Sequence, residues 1–214
     1  MLGFFERRLD PFPASRAFAP PKGLSRFCWF YVKDAWPYLL LFTALAAAIA
    51  VGEVMLFGFL GRIVDWLSSA DRADFIEREG RALLGMGALL LVVLPLAAFL
   101  HSAILHQTLL GNLAMSARWR MHRHLLGQSM SFFANEFAGR VATKLMQTSL
   151  AVRETVMKLL DVFVYVAVYF ISMIALVASA DPLLAAPLVV WLIVYAVLVS
   201  LFVPRLGKIS ERQA

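Results

Sequence analysis

The sequence predicts an all-α polytopic membrane protein with four transmembrane helices, long cytoplasmic helical extensions and a helical hairpin. Hydrophobic residues make up 61% of the 214 residues and charged residues only 16%, whereas soluble domains carry about 45–50% and about 25%. The mean hydropathy is +0.77. Short segments of alternating polarity, which a membrane β-barrel requires, are missing from the sequence. Helices are therefore the expected membrane-spanning elements.

Four apolar runs are long enough to cross a hydrocarbon core, which takes about 20 residues in a helix. Pro37 suits the first turn of the first span, and Pro95 lies inside the second, where membrane helices tolerate proline. Asp181 followed by Pro182 predicts the start of the fourth span, as an acidic N-cap before a first-turn proline. The predicted spans are 37–66, 83–105, 159–180 and 182–203.

Two regions are predicted around these spans. Residues 1–35 form a cytoplasmic N-terminal segment, whose first 23 residues are loop-like because they contain several prolines. Residues 24–35 mix aromatic and basic side chains, which indicates a short helix in the headgroup layer. Residues 36–214 hold the spans. The single cysteine, Cys28, excludes an intrachain disulfide.

The distribution of basic residues predicts the orientation. Six Lys and Arg lie before residue 36 and seven in 106–160, whereas the three in 67–81 are outnumbered by four acids. The positive-inside rule then places both termini and the central segment in the cytoplasm of a multi-pass plasma (inner) membrane protein. Basic residues beside the spans account for the net charge of +6, so we expect the lipid bilayer, and no nucleic acid, as a partner.

The segment 106–158 has the pattern of a cytoplasmic hairpin. Apolar residues recur at helical spacing in two arms, 106–128 and 138–160, each about 34 Å long at 1.5 Å per residue. The aromatic residues Phe132, Phe133 and Phe137 lie at the tip between the arms. Aromatic side chains fill pockets on partner proteins, but they could equally pack the tip against itself.

The tip carries a motif of a known family. Ser131-Phe132-Phe133 followed by Gly139-Arg140 resembles the coupling helix in the transmembrane half of ABC (ATP-binding cassette) exporters of the multidrug and lipid type. The resemblance extends over nearly all of the chain. It departs from the family pattern at Lys144 and Gln147-Thr148, where members often have an arginine and an Asn-Asp or Thr-Asp pair.

The resemblance implies that this hairpin docks on a nucleotide-binding domain and that two transporter halves assemble as a homo- or heterodimer. ATP and Mg²⁺ would be bound by the nucleotide-binding domain, and this chain would hold no cofactor or metal. The docking residues implied by the motif are Ser131, Phe132, Phe133, Asn135, Glu136, Phe137, Gly139 and Arg140.

The sequence contains no GxxxxGK[ST] phosphate loop, so no residue of this chain is placed to hold ATP phosphates, and the sequence indicates no catalytic residue. The resemblance implies that the complete transporter would be an ABC-type translocating ATPase. The family has six spans in each half and this sequence has four. We therefore expect a fragment, a truncated gene product or one piece of a split transporter, unable to transport by itself.

Glu53 is the obvious ionisable residue inside the first span. Carboxylates within the membrane are costly and often functional, so Glu53 could line a substrate or proton path. It could also lie toward the outer interface, where it reaches water or pairs with a neighbouring helix. Two other functions stay open: a membrane scaffold that recruits a soluble partner through the hairpin, and an ion-coupled transporter that uses Glu53. The small residues Gly52, Gly58 and Gly61 predict close helix packing.

Overall fold

The computed structural model describes residues 3–14, 20–68 and 75–213, and within these ranges every regular element is helical. This confirms the predicted all-α class. The α-helices are α1 Gly3–Glu6, α2 Leu24–Val32, α3 Trp36–Ser68, α4 Phe75–Ala88, α5 Leu94–Ala103, α6 Leu110–Leu126, α7 Met130–Asn135, α8 Ala138–Lys158, α9 Val164–Ala180 and α10 Pro182–Gln213.

Among the residues that the structure describes, four helices are long and apolar enough to cross a membrane, which confirms the predicted number of spans. They cover Leu24–Ser68, Glu77–Leu126, Gly139–Ala180 and Pro182–Val203. The start of the fourth helix is capped as predicted, because the backbone N–H of Leu183 donates to Oδ1 of Asp181 at 2.8 Å. Part of the predicted polar loop, residues 69–74, lies outside the described residues.

Three π-helical segments join α-helices without breaking them: Leu89–Val93, Ile104–Leu109 and Leu159–Phe163. The first ends two residues before Pro95, whose missing N–H and bulky ring disturb the hydrogen bonds of the preceding turn. A π-helical adjustment re-satisfies backbone groups freed by such a proline in membrane helices. The second and third segments lie where the spans continue into the hairpin.

The hairpin arms are direct continuations of two spans, as the sequence predicts. One helix runs through Glu77–Leu126 and another through Gly139–Ala180. Their arms, α6 and α8, pack against each other. Leu113 and Ala117 of α6 and Val152 of α8 belong to one buried apolar cluster.

A hydrogen bond joins the two arms near their midpoints. Ser149 of α8 is fully buried, and its hydroxyl accepts a hydrogen bond from Nε of Arg118 on α6 at 3.1 Å. The same hydroxyl donates to the carbonyl of Met146 at 2.8 Å. The hairpin is therefore held by apolar packing together with a specific hydrogen bond.

The first span packs closely on the second. Phe42 of α3 is fully buried, and the core cluster around it includes Leu39. A Cβ atom at Gly52 would lie 2.7 Å from Cδ2 of Leu94 in α5, so this glycine allows the close approach that the sequence predicts. At Gly61 no described atom lies within 4 Å of that position, and its packing role stays a prediction.

The described part of the N-terminal segment packs against the second π-helical segment and the start of α6, and it contains one helical turn, α1, where the sequence predicts only loop. The hydroxyl of Thr108 donates to the carbonyl of Phe5 at 3.0 Å, and Nδ2 of Asn112 donates to the carbonyl of Glu6 at 2.9 Å. These bonds use backbone carbonyls of the segment, so no sequence motif in the segment predicts them.

Residues 169–214 form a separate compact unit. Within it, the Phe170 ring stacks on Trp191 at 5.3 Å between centroids, and Trp191 stacks on Tyr195 at 5.4 Å. This row of aromatic rings joins the third span to the fourth.

Candidate functional site

The tip of the hairpin is a short capped helix. Ser129 precedes α7, and its hydroxyl accepts from the backbone N–H of Phe132 at 3.4 Å. Serine is a favoured N-cap because this bond satisfies a free N–H of the first turn. The hydroxyls of Ser129 and Ser131 lie 2.8 Å apart. The cap holds the six residues of α7 between the two long arms.

Apolar side chains cover the outside of the tip. Phe137 is 80% exposed and Met130 is 84% exposed, whereas Phe133 is 39% exposed. Phe132 is half-buried and meets Phe133 edge to face, with 5.3 Å between ring centroids. Phe132 and Phe133 therefore pack partly against each other, whereas Phe137 stays exposed. Exposed apolar clusters of this kind mark interaction sites.

The polar residues of the motif surround this apolar tip. The guanidinium of Arg140 lies 3.9 Å from the carboxylate of Glu136, and the Arg140 side chain is 61% exposed. Gly139, the second residue of α8, has no described atom within 4 Å of a Cβ position. Asn135 ends α7, and its side chain lies outside the described set. All eight predicted docking residues thus lie within one short stretch at the hairpin end.

A buried arginine in the middle of the first hairpin arm joins this arm to α2 and to the short turn that follows α2. Arg120 of α6 is 7% exposed; it is ion-paired with Asp34 and donates to the carbonyl of Phe30 at 2.8 Å. This bond satisfies a carbonyl near the end of α2. In the sequence, Arg120 is one of the seven basic residues of 106–160 that predict the orientation. No local pattern indicates its pairing with Asp34.

A second polar contact lies inside the spans. The hydroxyl of Tyr165 in α9 donates to Oε2 of Glu53 in α3, with 2.5 Å between the oxygens. Glu53 is half-buried and faces the third span. The sequence singles out Glu53 but not its partner, because a tyrosine in an apolar run has the pattern of ordinary lipid-facing or core residues.

A third contact joins the second and third spans. Nε2 of His101 lies 3.1 Å from Oδ1 of Asp161, and the His101 ring stacks on Phe42 at 4.4 Å between centroids. Asp161 belongs to the third π-helical segment, and such segments are frequent at functional sites. Asp161 and Tyr165 are four residues apart, so one stretch of the third span carries polar bonds to the first and second spans.

Within the described ranges no three His, Cys, Asp or Glu residues are grouped so that they could hold a metal ion. The polar contacts between spans include the Glu53–Tyr165 and His101–Asp161 bonds.

The sequence is similar to known proteins. Residues 39–214 match the family model for the ABC transporter transmembrane region. The whole chain is 41% identical over 214 residues to a Haemophilus influenzae protein described as an uncharacterized ABC transporter ATP-binding protein. The chain covers 35% of that relative's length. No solved structure matches the chain.

Proposed function

The chain belongs to the family of ABC transporter transmembrane regions, and we propose that it forms a membrane-domain portion of an ATP-driven exporter and docks a nucleotide-binding domain through its hairpin tip. The membrane part of an ABC transporter is thus its established class. The exporter activity, the docking residues and the path of the substrate are our proposal. The matched relative's description as an ATP-binding protein supports a nucleotide-binding partner.

The observation that carries the proposal is the exposed apolar tip at the end of two stiff arms. Met130 begins the capped helix α7 and Phe137 directly precedes α8, and both lie at the end of arms of 17 and 21 residues. At 1.5 Å per residue these arms are about 25 and about 32 Å long. An aromatic anchor that fills a pocket on a partner is the arrangement that dominates binding energy in protein interfaces.

The arms have the mechanical properties that coupling requires. Each arm is helically continuous with a span, and the Arg118–Ser149 hydrogen bond holds the arms together. A displacement of the tip therefore moves both spans instead of bending a loop. Rigid-body motion of packed helices is a common way to switch a membrane protein between states. ATP bound with Mg²⁺ on the nucleotide-binding domain would supply the energy for this motion.

Glu53 is proposed to contribute to the substrate pathway. Its carboxylate is held by Tyr165 at the meeting of the first and third spans, and ionisable residues within membrane helices are functional by default. The Asp161–His101 pair adds a second polar contact between spans. The orientation proposed from the basic residues puts the hairpin and both termini in the cytoplasm.

The experiment uses the complete gene product in its native membrane. A photoreactive benzophenone amino acid replaces Phe137, and the cross-linked peptides are identified by mass spectrometry. We expect adducts on a nucleotide-binding domain, of the same chain or of a second copy. The same probe at Leu84, which is 76% exposed on α4, is the control and should not react with that domain.

The two other functions predict different results. A scaffold would give adducts on a soluble protein without a phosphate loop, and that result would replace the transporter proposal. An ion-coupled transporter would lose proton-dependent uptake in Glu53→Gln while deletion of 129–137 left uptake intact. If transport continued after deletion of 129–137 with the same number of ATP molecules hydrolysed per substrate as in the wild type, the coupling proposal would be wrong.

A further inference from the structure

An apolar groove of about 620 Å³ lies between the N-terminal helix and the start of the third span. Its walls come from α2, the start of α3, the end of α8 and the third π-helical segment. The volume is in the range of pockets that hold small ligands. The lining includes Trp29, Trp36, Leu40 and Leu159, each more than half exposed.

We propose that this groove binds an anionic phospholipid of the cytoplasmic leaflet, with an acyl chain along the groove and the phosphate at α2. The proposal does not depend on transport or on the docking of a nucleotide-binding domain. It concerns residues that the tip motif does not include.

The shape of the groove matches the two ends of a phospholipid. One wall is α2, which carries the mixture of aromatic and basic residues typical of the headgroup layer. The other end extends along α3 to Thr43, seven residues beyond Trp36 and about 10 Å deeper into the span at 1.5 Å per residue. The polar groups in the lining are small: Ser25, Cys28, Thr43 and Thr155. A hydrocarbon chain can fill such a groove without leaving a buried charge.

The charges beside the groove select the headgroup. Arg26 and Lys33 are exposed and lie three residues before and four residues after Trp29. Residues at these spacings share a face of a helix, so both basic residues lie next to the Trp29 side of the groove. The lining contains no acidic residue. Each Lys or Arg near a membrane surface favours anionic lipid by about a fivefold factor in binding.

The test places the benzophenone amino acid at position 29 in the complete gene product, reconstituted into vesicles of equal parts phosphatidylglycerol and phosphatidylcholine. After illumination, mass spectrometry identifies the adducts. We expect phospholipid adducts in which phosphatidylglycerol is enriched several-fold over phosphatidylcholine. The control is the same probe at Leu91, 75% exposed in the second span, whose adducts should follow the composition of the vesicles.

Two further variants check the parts of the proposal. Arg26→Gln with Lys33→Gln should bring the phosphatidylglycerol enrichment down to about the vesicle composition at low ionic strength, because both charges that favour anionic lipid are removed. Thr155→Trp, which fills the groove, should reduce lipid adducts at position 29 with the Leu91 control unchanged. Adducts on a peptide of this chain or of a second copy would overturn the proposal, because a protein segment would then fill the groove. Lipid adducts at the bulk composition would also overturn it.

Discussion

The Tyr165 hydroxyl donates a 2.5 Å hydrogen bond to the Glu53 carboxylate, which joins the third span to the first. A carboxylate in a span is expensive unless it is bonded, and this bond also fixes which face of α3 meets the third span at Tyr165. The polar contact thus stabilises the arrangement of spans from which the hairpin extends.

The Glu53–Tyr165 bond should be measurable as a coupling energy. We expect Tyr165→Phe to destabilise the protein by about 1 kcal/mol, since hydrogen bonds between membrane helices average about 0.6 kcal/mol with a maximum of about 1.7. Thermal unfolding in detergent of Tyr165→Phe, Glu53→Leu and the double variant gives the coupling. Additive effects would show that the two side chains do not interact. Tyr38→Phe is a matched control, because the described structure shows no hydrogen bond from the Tyr38 hydroxyl.

The Arg120–Asp34 pair should matter more than an ordinary surface ion pair. Asp34→Ala leaves the buried Arg120 guanidinium with a single carbonyl partner, and unpairing a buried charge costs about 3–5 kcal/mol. Because Asp34 itself is 53% exposed, water screens part of this cost and we expect about 1–3 kcal/mol. Denaturant unfolding measures the loss.

Arg140→Ala is the control for that measurement. Its side chain is 61% exposed and 3.9 Å from Glu136, so its effect should stay below about 1 kcal/mol. Equal losses in Asp34→Ala and Arg140→Ala would contradict the structural role assigned to Arg120.

Gly52 should tolerate only a small side chain. In Gly52→Ala the new methyl group meets the flexible end of Leu94, which can shift, so we expect a change below about 1 kcal/mol. Gly52→Ile should cost about 1–3 kcal/mol through overpacking. Thermal stability is the readout. Gly61→Ile is the matched control, and equal losses at both glycines would contradict the close approach at Gly52.

The sequence was sufficient for the spans and the hairpin because both depend on local patterns. Runs of apolar residues predict the spans, and helical spacing predicts that α6 and α8 continue them. Pairings between distant elements left no such pattern. Asp161 and His101 are 60 residues apart and Arg120 and Asp34 are 86 apart, so their contacts emerge only when the helices are packed.

At the hairpin tip, the sequence predicts which residues lie there but not how far each side chain is exposed. The aromatic and Gly-Arg motif predicted which residues gather at the hairpin end, and the order along the chain was enough for that. The exposure of Phe137 and the half-burial of Phe132 depend on how α7 turns between the arms. Met130, 84% exposed, extends the apolar surface and was not in the predicted set, because a single methionine has no distinguishing pattern.

Truncation of an aromatic side chain at the tip should weaken the binding of a nucleotide-binding domain. Phe137→Ala removes the most exposed of the three phenylalanines, and anchors at interface centres cost about 2 kcal/mol or more when truncated, which is about a thirtyfold loss of affinity. Binding of an isolated nucleotide-binding domain to the membrane protein measures this directly. Leu84→Ala should leave binding unchanged, and an equal loss there would point to misfolding.

The central claim is that the tip transmits ATP-driven motion to the spans. The most direct test measures the distance between spin labels at Lys144→Cys, an exposed position on α8, in two copies of the complete transporter with and without ATP, Mg²⁺ and vanadate. We expect the distance between the two labels to change when ATP, Mg²⁺ and vanadate are added. In the double variant Phe133→Ala, Phe137→Ala this change should disappear while nucleotide binding is retained. An unchanged response in that double variant, or no response in the wild type, would contradict the central claim.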